Sequence, residues 1–367
     1  MKYRITPFEP LIMRDARPFG AGSRMHSLSW IPQTASAGAV RAVLWKSSAN
    51  PDTSALRRVR VQGAFPLFKG DMYFPRPLDI VVSKGEIFRL RPLDMKKFPE
   101  GSGADMPLEG LMPCALDKDG EFKPDKLKAF WSRKLITEWL NDRKDFTLDE
   151  SETLSAPARD ERTHASIIPE TGAAGNDSAD GRLFTTTGLD FLHNDGGLSL
   201  GQLSIDIGTD ALPEKFTAPL GGERRLAGFT RCDEDNALWS YPEGLPQTYA
   251  INETFRLVLA TPAIFAQGWL PGWLTLGDLS GEFPGTRAKV QLLSAVTDRW
   301  QAVSGWDYEK GEHKPMRRAV PAGSVYFFKV LEGEIRASDV WLKSVCDDIQ
   351  DINDGFGLGL TGRLGGV

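Results

Sequence analysis

Arg14, Asp15 and Arg17 stand just ahead of Phe19 and Gly20, and the chemistry such a set can perform is the gripping of anions. Guanidinium forks suit phosphate oxygens, and the start of a following helix adds a partial positive charge. Phe19 could stack on a base beside them, an interaction worth roughly 1–3 kcal/mol per base in single-strand binders. In the competing account Arg14 and Asp15 pair locally and Phe19 fills core. Gly221-Gly222-Glu223-Arg224-Arg225 is a second candidate. Its glycines permit a turn, and Glu223 could tie down one arginine and leave the other for a polyanion; a plain surface salt bridge is the alternative. Arg317 and Arg318 precede Ala319 and Pro321 at a strand entrance, which suits contact with a nucleic-acid backbone or with an acidic protein surface.

The run from Asp354 to Val367 removes side chains at Gly355, Gly357, Gly359 and Gly362, so its backbone N–H groups could approach a phosphate or another chain, with Arg363 alongside. A dinucleotide fingerprint would need a strand before the glycines, a helix after them and an acid about 20 positions on. The residues before Gly355 read as a helix instead. The expectation is polynucleotide or protein contact rather than NAD.

Hydrolytic chemistry finds less support. His26 sits before the first helix with Ser23, Arg24 and Ser27 nearby, but metal-independent RNA cleavage needs a general acid and a general base beside one 2′-hydroxyl. His164, His193 and His313 are dispersed along the chain, and no clustered carboxylates suggest a two-metal nuclease. Cys114, Cys232 and Cys346 are too far apart to encode a paired zinc motif. The expectation is no catalytic residue, no metal and no cofactor.

Charge is uneven. Residues 1–60 hold ten Lys/Arg, Arg24 and Arg41 among them, against Glu9, Asp15 and Asp52, a net +7 in a chain of −5 overall, which leaves −12 for the remainder. A basic face could meet phosphates while an acidic one meets another subunit. The 367 residues suffice for two domains. No signal-peptide pattern and no apolar run of membrane-spanning length is visible, so the expected compartment is the cytoplasm.

The elements that must position these residues follow from periodicity. Tyr3, Ile5 and Phe8 read as a first strand, followed by a polar loop over 14–29 and a helix from Thr34 to about Ser47 with Ala37, Val40 and Leu44 buried. Leu127, Trp131, Leu135 and Trp139 predict a helix over 125–141. Residues 94–150 and 171–181 contain insertion-like stretches, the second a hairpin tip between Ile167 and Leu183. A boundary falls near 242–247. Beyond it come a strand (254–260), a Trp-rich helix (268–274), strands at 289–296 and 324–330, and a terminal helix capped by Ser338 with Trp341, Val345, Ile349 and Ile352 as its stripe. That order is βαββαβ, and the first half fits it with insertions. The expected class is α+β: two ferredoxin-like, RRM-like domains, 1–245 and 246–367, with insertions in the first.

Taken in order, Met13-Arg-Asp-Ala-Arg-Pro-Phe-Gly20, Arg182-Leu-Phe-Thr185, Leu220-Gly-Gly-Glu-Arg224, Arg317-Arg-Ala-Val-Pro-Ala-Gly-Ser-Val325 and the terminal glycines resemble the motifs of the RAMP superfamily, and within it the third subunit of the Cmr (type III-B) CRISPR effector complex. The resemblance implies a noncatalytic subunit that holds the 5′ repeat-derived tag of the guide RNA and docks to the large polymerase-like subunit and to a backbone subunit. The RNA-facing set it implies is Arg14, Arg17, Phe19, Arg24, Arg41, Gly221, Gly222, Arg224, Arg225, Arg317, Arg318, Gly355, Gly357, Gly359 and Arg363. Two other readings stand beside it: a metal-independent guide-RNA-processing endoribonuclease using His26, and a purely protein-bridging subunit using the acidic terminal helix (Glu332, Glu334, Asp339, Asp347, Asp348, Asp351, Asp354).

Overall fold

The computed structural model describes residues 1–15, 24–94, 99–116, 123–174, 183–194, 198–307 and 310–365. The chain forms two compact units drawn from interleaved stretches rather than from one cut near residue 245. The first comprises residues 1–68, 156–233 and 302–317; the second comprises 69–155, 234–301 and 318–367.

In the first unit, alternation of buried and half-buried residues along Lys2–Pro7 marks a strand with one face on a core. It lies between Gln202–Ile207 and Leu226–Arg231, antiparallel to both. Val61–Phe68 pairs with the outer side of Gln202–Ile207, and Lys215–Pro219 with the outer side of Leu226–Arg231. Leaving aside the added edge strand Lys215–Pro219, the strands in chain order take the spatial sequence fourth, first, third, second. The helix Gln33–Ser47 packs on one face, where Ala37, Val40 and Leu44 meet Tyr3, Ile5, Leu203, Ile205 and Phe229. Pro32, with no side-chain cap, precedes this helix, and Thr34 lies inside it. Between the third and fourth strands the structure has the edge strand Lys215–Pro219 where a second helix of the βαββαβ order would fall.

The second unit repeats the spatial sequence with Thr254–Leu259, Lys289–Val296, Val325–Glu332 and Gly359–Arg363, all neighbours antiparallel. Here the first helix is the one missing. The Trp-rich segment 268–274 is a series of turns, because Gly268 is left-handed and Asp347 holds the N–H of Gly272 at 3.0 Å; a Cβ on Gly272 would lie 2.4 Å from that carboxylate. The expected terminal helix is two short ones, Ala337–Val340 and Ile349–Asp354. Leu342 turns left-handed between them, and the N–H groups of Leu342 and Val345 leave the helical ladder for the carbonyls of Gly359 and Gly357. Arg336, not Ser338, precedes the first helix, and Asp348 caps the second.

Residues 69–155 supply the rest of the second unit. The helix expected over 125–141 begins only at Arg133, since Phe130–Ser132 pairs as a strand with Asp71–Pro75 and with Thr153–Leu154. Ser132 then caps Arg133–Leu140 by accepting from the Leu135 N–H at 3.1 Å. Trp139 and Asp142 at the end of this helix meet a buried charge. Arg256, 2% exposed in the middle of a core strand, donates to Asp79, fully buried, at 2.6 Å, and Trp139 Nε1 donates to the other Asp79 oxygen at 2.8 Å. Arg89 lies 3.9 Å over the Trp139 ring and 3.4 Å from Asp142. Burial first, then the like charge of Arg256, pulls the Arg89 pKa down to about 10. Arg91 joins Asp142 at 2.8 Å.

Removing one member of a buried pair strands the other charge, at a cost of roughly 3–5 kcal/mol. Asp79→Asn and Arg256→Met are each expected to lower stability by about that amount in denaturant unfolding, and the double variant by less than the sum. Strict additivity would show that the pair is not coupled.

Candidate nucleic-acid interface

The segment Glu9–Asp15 leaves the first strand of the first unit and is enclosed on several sides by chain that is far away in sequence. Leu11, Ile12 and Met13 are buried, which forces the backbone between neighbours. Leu11 exchanges backbone hydrogen bonds of 2.9 and 2.7 Å with Leu189, Ile12 accepts from the Gly222 N–H at 2.7 Å, and Met13 accepts from the Leu28 N–H at 2.8 Å. Arg14 forms a β-bridge with Ser27, and Arg24 one with Thr185. Ser27 also donates its hydroxyl proton to the Thr187 carbonyl at 2.5 Å. Three of the sequence motifs, around residues 13, 185 and 222, thus meet in one place.

Glycine at 188 and 221 is dictated by this approach. A Cβ on Gly188 would lie 2.8 Å from the Pro10 Cβ, and one on Gly221, whose φ is +86°, would lie 2.5 Å from the Ile12 carbonyl oxygen. Gly221 and Gly222 therefore serve close packing, and the Gly222 N–H is engaged by the Ile12 carbonyl.

With both glycines spent on the approach, the turn that follows is made by residues with side chains. Glu223 and Arg224 have φ of 56° and 54°, and the Arg225 N–H closes the turn on the Gly222 carbonyl at 3.3 Å. Two successive left-handed residues define a type I′ turn, a conformation that Asn-Gly normally fills. For other residues it costs about 1–2 kcal/mol each. The two arginines part company here. Arg225 is tied to Glu9, whose pKa the Arg225 hydrogen bond holds below its ordinary value of 4.5, while Arg224 is exposed with no ion-pair partner among the described residues. Glu9, not Glu223, is the carboxylate that engages one arginine of the pair.

Arg14 and Arg24 are exposed around the same segment, and Arg24 pairs with Glu161. Arg17 and Phe19 lie outside the described residues, as does Arg182. Arg41 is used within the fold, where its Nη2 donates to the carbonyls of Val59 at 2.9 Å and Arg57 at 3.3 Å as the helix Thr53–Arg58 ends. Arg317 is exposed at the end of the first unit's last stretch.

The remaining candidates belong to the second unit. Arg318 stacks 4.8 Å over the ring of Trp300. Gly355 is the left-handed residue that ends the helix Ile349–Asp354, and Gly357 and Gly359 are buried. A Cβ on Gly359 would lie 2.4 Å from Leu257, and one on Gly362 would lie 2.6 Å from the Leu140 carbonyl oxygen. The expected glycine loop is a core strand, its bare backbone turned to protein; Arg363 at its end is exposed. The acidic terminal helix is likewise engaged internally. Asp347 holds the N–H groups of Ala266 and Gly272, Asp348 is a cap, and Asp351 and Asp354 are buried.

His26 is exposed, while His164 engages Thr186 at 2.9 Å and stacks on Phe184, and His313 abuts Trp306. The described residues hold no group of three or more His, Cys, Asp or Glu that could ligate a metal ion, and no helix among them is long and apolar enough to cross a membrane.

A family model described as CRISPR-associated protein (Cas_Cmr3) matches residues 3–364. Among solved structures, the chain is similar to a chain of the type III-B Cmr-beta complex bound to cognate target RNA and AMPPnP, with 16% identity, 89% of this chain and 86% of that chain covered, and a TM-score of 0.48. The same complex bound to cognate target RNA gives 16%, the same coverages and 0.46. A chain of the Csm3-Csm4 subcomplex of the type III-A interference complex gives 11% identity, coverages of 91% and 93%, and 0.39. No curated protein matches the chain.

Two outcomes follow from the turn and its neighbour. Arg224→Gly is expected to raise stability by about 0.5–1 kcal/mol, the relief of the left-handed conformation less the added chain entropy, measured by urea unfolding. Because the folded pKa of Glu9 is depressed, its contribution is present above pH 4.5 and lost as pH falls through the folded value. The stability gap between wild type and Glu9→Gln should therefore close on acidification below pH 4.5; a gap constant with pH would show that the ion pair contributes nothing.

Proposed function

The chain belongs to the CRISPR-associated protein family Cas_Cmr3, and from that premise we propose that it is a noncatalytic RNA-binding subunit of a type III-B (Cmr) interference complex. In this reading it holds the 5′ repeat-derived tag of the guide RNA and bridges the large polymerase-like subunit to the backbone subunits, in the cytoplasm. Each unit is a ferredoxin-like module short of one helix: the strand sequence fourth, first, third, second supports this in both. The four sheet strands of the first module come from 1–245 and those of the second from 246–367, while residues 69–155 fold with the second compact unit and 302–317 with the first.

The observation that carries the reading is the convergence of three separated motifs on Glu9–Asp15, with Arg14, Arg24 and Arg224 exposed around it. Guanidinium groups raised on a rigid backbone can grip successive phosphates, and they supply neither an acid nor a base that would cut the strand. His26, the residue on which an endoribonuclease reading depends, has the other described histidine side chains, His164 and His313, engaged with Thr186 and Trp306. The protein-bridging reading loses support at Asp351 and Asp354, which are buried, and at Asp347 and Asp348, which are exposed but accept from backbone N–H groups of the fold; Glu332, Glu334 and Asp339 are exposed.

Titration of labelled repeat RNA at several salt concentrations tests this. Arg14→Ala with Arg224→Ala should weaken binding and reduce the salt slope by up to about one unit for each lost phosphate contact. Unchanged affinity and slope would remove the RNA-holding role. Incubation with repeat RNA in EDTA should leave the RNA intact; a defined product that His26→Ala abolishes would establish the nuclease instead.

A further inference from the structure

Phe8 follows directly on the first strand of the first unit, out of phase with the buried Tyr3 and Ile5, and is 57% exposed. The strand turns Tyr3 and Ile5 toward the helix Gln33–Ser47, so Arg4, Thr6 and Phe8 point to the opposite face. Register puts Gly228 beside Thr6 and Thr230 beside Arg4, with Lys215 beside Thr230 on the edge strand. On this part of the face Lys215, Thr230 and Leu226 are exposed, the last at 42%. Arg4 and Lys215 are basic residues of this part of the face, next to the pair of Lys2 with Asp206.

The ring of Phe8 is held in place. Its tip lies directly over Gly228, where a Cβ would come within 2.8 Å of Cζ and 3.1 Å of Cε1. The Phe8 N–H donates to the Leu226 carbonyl at 3.2 Å, and the next residues on either strand, Glu9 and Arg225, form the ion pair described above. An exposed aromatic ring seated on bare backbone, fastened on one side and open on the other, is the geometry that stacks a single unpaired base. It is also continuous with the RNA site, since Leu226 follows Arg225 and Phe8 leads into Glu9–Asp15.

We propose that Phe8 is a stacking platform for one nucleobase of the RNA whose phosphates lie at Arg224, with Gly228 kept small so that the ring stays seated. The inference rests on the RNA-holding reading, and the experiment separates the two. Full-length protein is titrated with fluorescein-labelled single-stranded repeat RNA at several salt concentrations. Phe8→Ala should weaken binding by roughly five- to a hundredfold, the range of one lost stack, with the salt slope unchanged. Arg224→Ala should instead lower the slope. Phe8→Trp should retain affinity, and Gly228→Ala should weaken binding although the ring is still present. If Phe8→Ala fails to fold, crosslinking of wild type with RNA carrying 5-iodouridine decides, with the adduct expected on the peptide containing Phe8. Wild-type affinity in Phe8→Ala alongside weakened Arg224→Ala, or crosslinks lying wholly elsewhere, would overturn the stacking role and leave the RNA-holding role standing. No RNA binding by wild type would end both.

Discussion

The Arg256 guanidinium is the constraint around which the second unit is organised. It stands in the middle of a central strand, out of water, and a charge there is tolerated only if it is paired. Asp79, the Trp139 carbonyl and Asp142 meet that demand, and all three come from residues 69–155. This explains why an insertion in the first half of the sequence folds with the second unit. Arg89 and Arg91 spread the network, and Asp142 also accepts from the Gly365 N–H at 2.9 Å, so the last strand of the sheet is fastened to the same group.

What could be read in the sequence was what local periodicity or composition encodes. Tyr3 and Ile5, the stripe Ala37, Val40 and Leu44, and the central strands of both sheets are visible because one face of each is buried. In each sheet four strands take the spatial sequence fourth, first, third, second, whereas a helix of the expected βαββαβ order is missing from each unit, in the second because of a distant contact. Gly272 cannot be helical because Asp347, 75 positions on, claims its N–H. Trp131 fits a helical stripe yet pairs as a strand with Thr153. Ile349 fits another and is exposed, while Asp351 and Asp354 are buried in its stead.

The candidate site divides in the same way. That Arg224 and Arg225 differ in role could be suspected from Gly221-Gly-Glu-Arg-Arg, but the partner that separates them, Glu9, lies 216 positions away with no local signal. Glycine was the most misleading residue type. A bare backbone read from sequence looks like an opening for a ligand, whereas at 221, 359 and 362 the space is occupied by Ile12, Leu257 and Leu140. Close packing and close ligand approach impose the same requirement on the residue, and only the three-dimensional neighbour distinguishes them. The strained Glu223–Arg224 turn is the converse case: a position where glycine would be easier and charged side chains are present.

The bridge between Ile12 and Gly222 also bears on how the chain is made. Translation proceeds at roughly 5–20 residues per second, so the apolar triplet Leu11-Ile12-Met13 leaves the ribosome on the order of 10–40 s before the turn that closes over it. Contacts of such long range form slowly, and an unpaired apolar strand is a template for aggregation in the interval. During synthesis the nascent protein therefore passes through a state in which its first strand is complete but the turn that covers Leu11-Ile12-Met13 does not yet exist, and there a chaperone that shields extended apolar segments would have its greatest effect on yield.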